Sequence, residues 1–244
     1  MNSTSVFYFD QESELEGFVA YPAQQKKRPL VILCHTWRGR DDFICAKAEE
    51  VANWGYVGFA LDMYGKGVLG KSKEENAALK QPFIEDRKLL QRRLLKGYDV
   101  ARALPYVDSS RIAILGFGFG GLCALDLARS GTDLRGAISI YGHLDAPHAL
   151  PKKQMKAKVL VLHGRDDPIV SSSELSVFEC EMEESNTDWQ VHIYGHTMHA
   201  FASPSANDPK LGICYNPTSA KRAWREIHNF LEEIMKESCE SGAS

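Results

Sequence analysis

An apolar run, Arg111-Ile112-Ala113-Ile114-Leu115, leads straight into Gly116-Phe117-Gly118-Phe119-Gly120-Gly121, and a helix-like stretch, Leu122-Cys123-Ala124-Leu125-Asp126-Leu127-Ala128, follows at once. A strand that doubles back into a helix so abruptly needs glycines at the turn, because they accept close backbone approach and positive φ. The spacing is that of a nucleophile elbow, G-x-Nu-x-G, whose central residue holds a strained backbone and presents its side chain to the site. Here the central residue is Gly118, whose side chain is a hydrogen. The turn commits the chain to a strand feeding a helix and leaves the reactive atom unassigned.

Around this turn, short apolar runs alternate with amphipathic stretches, which predicts an α/β fold: a mostly parallel sheet with helices on both faces. Strands are expected over 6–9, 15–21, 30–34, 57–61, 112–115, 137–140, 159–162 and 190–194, the first two as an antiparallel lead-in. Helices are expected over 41–54, 83–104, 120–130, 172–182 and 218–236. In the second of these, Leu90, Leu94, Tyr98 and Ala101 recur at the spacing of one buried face, and Arg87, Arg92, Arg93 and Lys96 are read as its wet face. The terminal helix carries a docking stripe of Trp224, Ile227, Phe230, Leu231 and Ile234. Asp108-Ser109-Ser110 reads as a polar break before the elbow strand. With 244 residues and 44% hydrophobic content, one domain over 1–244 accommodates the whole pattern. Ligands in open sheets of this kind bind beyond the carboxyl ends of the strands. The loops after Cys34, Leu61, Leu115, Leu162 and Tyr194 are therefore expected to surround one crevice.

A formal net charge of −3 provides no long-range field for nucleic acid or an anionic membrane. No apolar run approaches the roughly 20 residues of a membrane-spanning helix, and the first residues lack a cationic stretch followed by an apolar one. The six cysteines form no C-x-x-C pair, a pattern of reduced intracellular thiols. A cytoplasmic protein, monomeric or a small homo-oligomer, without nucleic-acid or membrane partners, is expected.

Two further segments carry chemistry. His163-Gly164-Arg165-Asp166-Asp167-Pro168-Ile169-Val170 places two carboxylates after a strand, and Asp167, beside the turn-setting proline, is the stronger candidate. Tyr194-Gly195-His196-Thr197-Met198-His199-Ala200-Phe201 offers two histidines after the next strand. An acid that orients a histidine and stabilises its protonated form is the second half of a catalytic triad. The order elbow, acid, histidine is that of the α/β-hydrolases.

Together with Cys34-His35-Thr36-Trp37-Arg38-Gly39 and Leu61-Asp62-Met63-Tyr64-Gly65, these segments resemble the dienelactone hydrolase family of α/β-hydrolases over nearly the full chain. The resemblance implies the α/β-hydrolase fold and a lineage of carboxymethylenebutenolidase-like enzymes that cleave a small-molecule ester or lactone without a cofactor or metal. It makes Asp167 the acid, His199 the general base and Gly118 the nucleophile position, which is usually cysteine. Thr36 is a second departure, since family members often carry glutamate there. The backbone N–H groups of Phe119 and of Thr36–Trp37 are the expected oxyanion donors. Trp37, Tyr64, Phe117 and Phe119 are expected at the pocket, and Arg38 and Arg40 are candidates for a substrate carboxylate or for solvent. Cys123 lies five residues beyond Gly118, a rotation of about 500° along a helix, and reads as core. Cys34 ends a buried strand and reads as structural. Activity is accordingly expected to be weak or absent, with a non-catalytic binder of a small carbonyl or carboxylate compound as the alternative.

Two patterns compete with this reading. Gly65-Lys66-Gly67-Val68-Leu69-Gly70-Lys71-Ser72 satisfies the P-loop spacing, but Glu74 and Glu75 would sit in the first helical turn beside a phosphate. His192, His196 and His199, with His35 and His163, are too irregularly spaced for a standard zinc site. His35 and His163 are expected to hydrogen-bond loops.

Overall fold

The computed structural model describes residues 1–23, 26–148 and 150–236. Along them run β1 (Asn2–Asp10), β2 (Ser13–Tyr21), β3 (Arg28–Cys34), α1 (Asp42–Asn53), β4 (Val57–Leu61), α2 (Lys73–Glu85), α3 (Arg87–Arg102), β5 (Val107–Phe117) and α4 (Phe119–Arg129). There follow β6 (Gly136–Ile140), β7 (Lys158–Gly164), α5 (Ser172–Glu184), β8 (Trp189–Tyr194), β9 (Asn207–Asp208), a 3-10 turn (Pro209–Leu211), β10 (Ile213–Cys214) and α6 (Pro217–Ile234). Cys239 lies outside the described residues.

Eight strands form one sheet in the order β1-β2-β4-β3-β5-β6-β7-β8. β1 and β2 pair antiparallel, as does β2 with β4, and β3 through β8 are parallel. The central strands are apolar on both faces because both are covered. On one side Ile44, Val51, Ile227 and Phe230 of α1 and α6 meet Val31, Leu33 and Leu115. On the other, Leu90, Leu94, Tyr98, Leu122 and Phe178 of α3, α4 and α5 meet Leu30, Ile32 and Ile114. Strand order reverses between β3 and β5, the switch point at which open α/β sheets leave a crevice.

Four expectations need correction. The helix expected over 83–104 is two helices, because Asp86 leaves the helical conformation and caps α3 by accepting from the N–H groups of Lys88 and Leu89. The helical turn holding Glu74 and Glu75 extends into a full helix over 73–85, capped by Ser72. Arg87 and Arg93 are not on a wet face; both are buried. Arg93 Nε reaches Asp10 Oδ2 at 2.7 Å, while Arg87 grips Asp126 through Nε and Nη2 at 2.6 and 2.7 Å. Finally, 108–110 lies within β5, although the pairing with β3 skips from Asp108 to Ile112 between Pro29 and Leu30, so the polar break survives as a bulge.

Asp126, fully buried in α4, also accepts from Arg129 Nη1 at 3.4 Å. The two arginines then hold the loop after β6: Arg87 donates to Asp145 Oδ2 at 2.8 Å, and Arg129 Nη2 donates to the Leu144 carbonyl at 2.6 Å. Charge buried behind the sheet thereby fixes a loop that borders the crevice.

Candidate active site

β5 ends at Phe117 and α4 starts at Phe119, so Gly118 alone makes the turn, with φ 56° and ψ −113°. Its N–H donates to the Ile140 carbonyl at 2.9 Å, and its own carbonyl accepts from Gly121 N at 2.9 Å. Phe119 opens α4, so its N–H has no carbonyl within the helix to bond.

Asp167 follows β7, and its buried carboxylate is satisfied on both oxygens. Oδ1 accepts from the N–H groups of Ile169 and Val170 at 2.8 and 3.0 Å, and Oδ2 bonds His199 Nδ1 at 2.8 Å. Burial pushes the Asp167 carboxyl upward, but the hydrogen bond and charge of His199, with the two backbone donors, overcome this and hold it below its ordinary value. The carboxylate therefore stays ionised and keeps Nδ1 of His199 engaged, leaving Nε2 for the cavity. Asp166 and His196, the other members of each candidate pair, are exposed. The hairpin of β9 and β10 clamps the backbone of His199: its N–H donates to the Gly212 carbonyl at 2.9 Å, and its carbonyl accepts from Cys214 N at 3.0 Å.

A cavity of about 410 Å³ brings Thr36, Trp37, Arg38, Gly118, Phe119 and His199 together. Tyr64 stands behind this wall. Its ring stacks on Phe119 with centroids 5.9 Å apart, and its hydroxyl donates to the Trp37 carbonyl at 3.1 Å. Phe117 is buried on the opposite face of the sheet against Phe43 and Trp224. Arg40 neither meets the cavity nor points freely to solvent, since Nη2 pairs with Glu16 at 3.0 Å. Arg38 is half exposed, with Asp41 at 3.8 Å.

Several wall residues escaped the sequence reading. Tyr141 and His143 follow β6, and Lys73, Asn76 and Lys80 come from α2. Tyr141 adopts φ 41°, its ring lies edge-on to His199 with centroids 5.3 Å apart, and its buried hydroxyl has no hydrogen-bond partner among the described residues. Lys80 lies 5.7 Å from the Trp37 ring centroid, and burial lowers the pKa of its ammonium. Across the mouth, Lys73 Nζ donates to Asp208 Oδ2 at 2.6 Å, joining α2 to β9.

The remaining candidates have internal duties. His35 is fully buried; Nε2 accepts from Met63 N at 3.2 Å, so Nδ1 is the donor to the Thr36 carbonyl at 2.6 Å. Burial raises the thiols of Cys34 and Cys123 far above the ordinary range, so neither supplies a thiolate. In the segment with P-loop spacing, Gly70 N donates to the Arg38 carbonyl at 2.9 Å and Lys71 N to Glu75 Oε2 at 2.8 Å. The chain's own carboxylate thus takes a donor that a phosphate would need. No described helix is long and apolar enough to cross a membrane.

The family model for the dienelactone hydrolase family matches residues 15–235. A probable 2-oxo-3-(5-oxofuran-2-ylidene)propanoate lactonase of Bradyrhizobium sp. is 27% identical over 236 residues, 90% of this chain and 89% of the relative. The uncharacterized protein K02A2.1 of Caenorhabditis elegans is 33% identical over 147 residues, 59% of this chain and 93% of that protein. Among solved structures, the dienelactone hydrolase-like promiscuous phosphotriesterase P91 from metagenomic libraries superposes with a TM-score of 0.89 at 28% identity, covering 96% of this chain and 99% of that one. The mostly parallel eight-stranded sheet with its covering helices is accordingly the α/β-hydrolase fold, and the chain belongs to the dienelactone hydrolase family.

Proposed function

We propose that the cavity binds a small ester or lactone and hydrolyses it slowly, with Asp167 and His199 acting on water because Gly118 supplies no nucleophile. The observation that carries this reading is the 2.8 Å bond between His199 Nδ1 and a buried, ionised Asp167, at a cavity also lined by Gly118 and Phe119. In the proposed reaction His199 Nε2 takes a proton from water, whose oxygen attacks the acyl carbon. Backbone N–H groups of Phe119 and Trp37 stabilise the oxyanion, and the imidazolium, held by Asp167, returns the proton to the leaving alkoxide.

Removing a triad nucleophile from a serine protease costs about 10⁶-fold in turnover and leaves roughly 10³–10⁴-fold over water. A measurable residual rate is therefore expected. The test is hydrolysis of phenyl acetate by the chain, by His199→Ala and by Gly118→Cys. The reading requires loss of the rate in His199→Ala and a gain of orders of magnitude in Gly118→Cys; an unchanged rate in His199→Ala overturns it. Saturable binding of the ester without turnover favours the second reading, a binding protein, for which the glycine at 118 is the supporting observation. A phosphotriester belongs in the same panel because of the likeness to P91.

A further inference from the structure

The glycines of the elbow are not equivalent. A Cβ added to Gly116 would collide with the Gly120 carbonyl, and one added to Gly120 would collide with the Cys34 carbonyl. On Gly121 it would fall 2.6 Å from Ser139 Oγ. On Gly118 it would meet only the Tyr141 ring, with Cε2 and Cδ2 at 3.7 and 3.8 Å, an ordinary contact. Packing therefore demands glycine at the first three positions, whereas at 118 a side chain has room. That room opens into the cavity bordered by His199, Trp37 and Phe119.

We infer that this space admits a small diffusible thiol as an exchangeable nucleophile, so that the protein transfers acyl groups from esters to thiols. The inference rests on the proposed roles of His199 and the oxyanion donors. It adds a second substrate to them. The thiol sulfur takes a place close to that of a residue-118 side chain, and its carbon enters from the cavity. His199 Nε2 accepts the S–H proton, with Nδ1 held by Asp167 at 2.8 Å. The thiolate forms a C–S bond to the acyl carbon. Collapse of the tetrahedral oxyanion breaks the ester C–O bond, and the proton on His199 leaves with the alkoxide. Ester and thiol become thioester and alcohol, with no change of oxidation state.

Two features favour a thiol over a larger or harder nucleophile. The wall nearest the space is carbon, the Tyr141 ring, and Ala200 and Phe119 line the same cavity. These accommodate a soft, weakly hydrated sulfur with little loss of solvation. Cys34 and Cys123 are sealed in the core, away from the cavity lining, and do not compete. A tethered, oriented nucleophile reaches effective molarities of about 10⁵ M or more. An untethered thiol recovers only part of that advantage, so the reaction should saturate with thiol rather than match a cysteine at 118.

The experiment follows both products of phenyl acetate in increasing ethanethiol, with acetate and S-ethyl thioacetate separated by mass spectrometry, for the chain and for His199→Ala. The expected result is thioacetate formation that saturates with ethanethiol and exceeds that of His199→Ala by about tenfold or more, this variant reporting the uncatalysed background. Gly118→Ala, whose folding is checked by its circular-dichroism melt, should lose the thiol-dependent product because its methyl occupies the space. If acetate forms in a His199-dependent way but thioacetate never exceeds the background, the thiol site is overturned and slow hydrolysis stands. If neither product depends on His199, both readings fall.

Discussion

Replacing Gly118 and Gly120 by alanine separates two reasons for glycine that lie only two residues apart. At Gly118 the added methyl meets nothing closer than 3.7 Å, so the cost is purely that of a side chain at φ 56° and ψ −113°. Such backbone strain is worth about 1–3 kcal/mol, against which alanine regains about 0.4–1 kcal/mol by stiffening the unfolded chain. The net loss is about 0–2.6 kcal/mol, or a fall of about 0–10 °C in Tm for a chain of this size. At Gly120 the methyl collides with the carbonyls of Cys34 and His35, backbone atoms that cannot swing aside. Overpacking against side chains costs 1–3 kcal/mol. Against two strand-end carbonyls the loss should exceed about 3 kcal/mol, a fall of more than about 6 °C. Thermal melts followed by circular dichroism give the ranking directly. A Gly118→Ala protein that melts clearly above the parent refutes the strain argument, and a Gly120→Ala protein as stable as Gly118→Ala refutes the packing argument.

Asp126→Asn should cost about 3–5 kcal/mol, lowering Tm by about 6–20 °C, because it leaves the buried guanidiniums of Arg87 and Arg129 without their shared carboxylate; a fall under about 3 °C would remove that assignment. Burial pushes the Asp10 carboxyl up, but hydrogen bonds and charge from Arg92 and Arg93 bring it below its ordinary value of 3.8. A depressed folded pKa gives stability that is present above the unfolded pKa and lost as pH falls through the folded one. The urea-melt gap between the parent and Asp10→Asn should therefore be full at pH 7 and shrink below about pH 4; a gap constant down to pH 2 contradicts the linkage. Lys80→Met should leave Tm within about 1 °C, since among the described residues Lys80 has no carboxylate partner and surrenders only a contact near Trp37; a fall of several degrees would reveal a structural role.

The alternation of apolar runs made the strands and the sheet class legible, and the order of Gly118, Asp167 and His199 pointed to residues that the fold brings together at one candidate site. Part of what escaped depended on partners remote in sequence. The wet-face reading of Arg87 and Arg93 failed because Asp126 and Asp10 lie 39 and 83 residues away. Helical periodicity ran unbroken past Asp86, although Pro82 and the cap at Asp86 were both visible as boundary residues. Ser72 and Glu75 form the S-x-x-E pattern that starts α2, the helix whose Lys73, Asn76 and Lys80 line the cavity. Tyr141 and His143 follow the carboxyl end of β6, so the rule that placed the other loops at the crevice applied to them as well. The hairpin that clamps His199 has strands of only two residues, too short to leave a periodic trace.

The ion pair between Lys73 and Asp208 gives the site a response to salt. It joins α2 to β9 across the cavity mouth, yet the lysine side chain is 59% exposed. Exposed pairs contribute about 0–1 kcal/mol, and dissolved ions screen them. Rising ionic strength therefore slackens the rim. A neutral ester feels little long-range field, so its association rate should climb with salt, opposite in sign to the slowing seen when charge steers an encounter. Through one surface contact, traffic into the crevice becomes a function of the electrolyte around the protein.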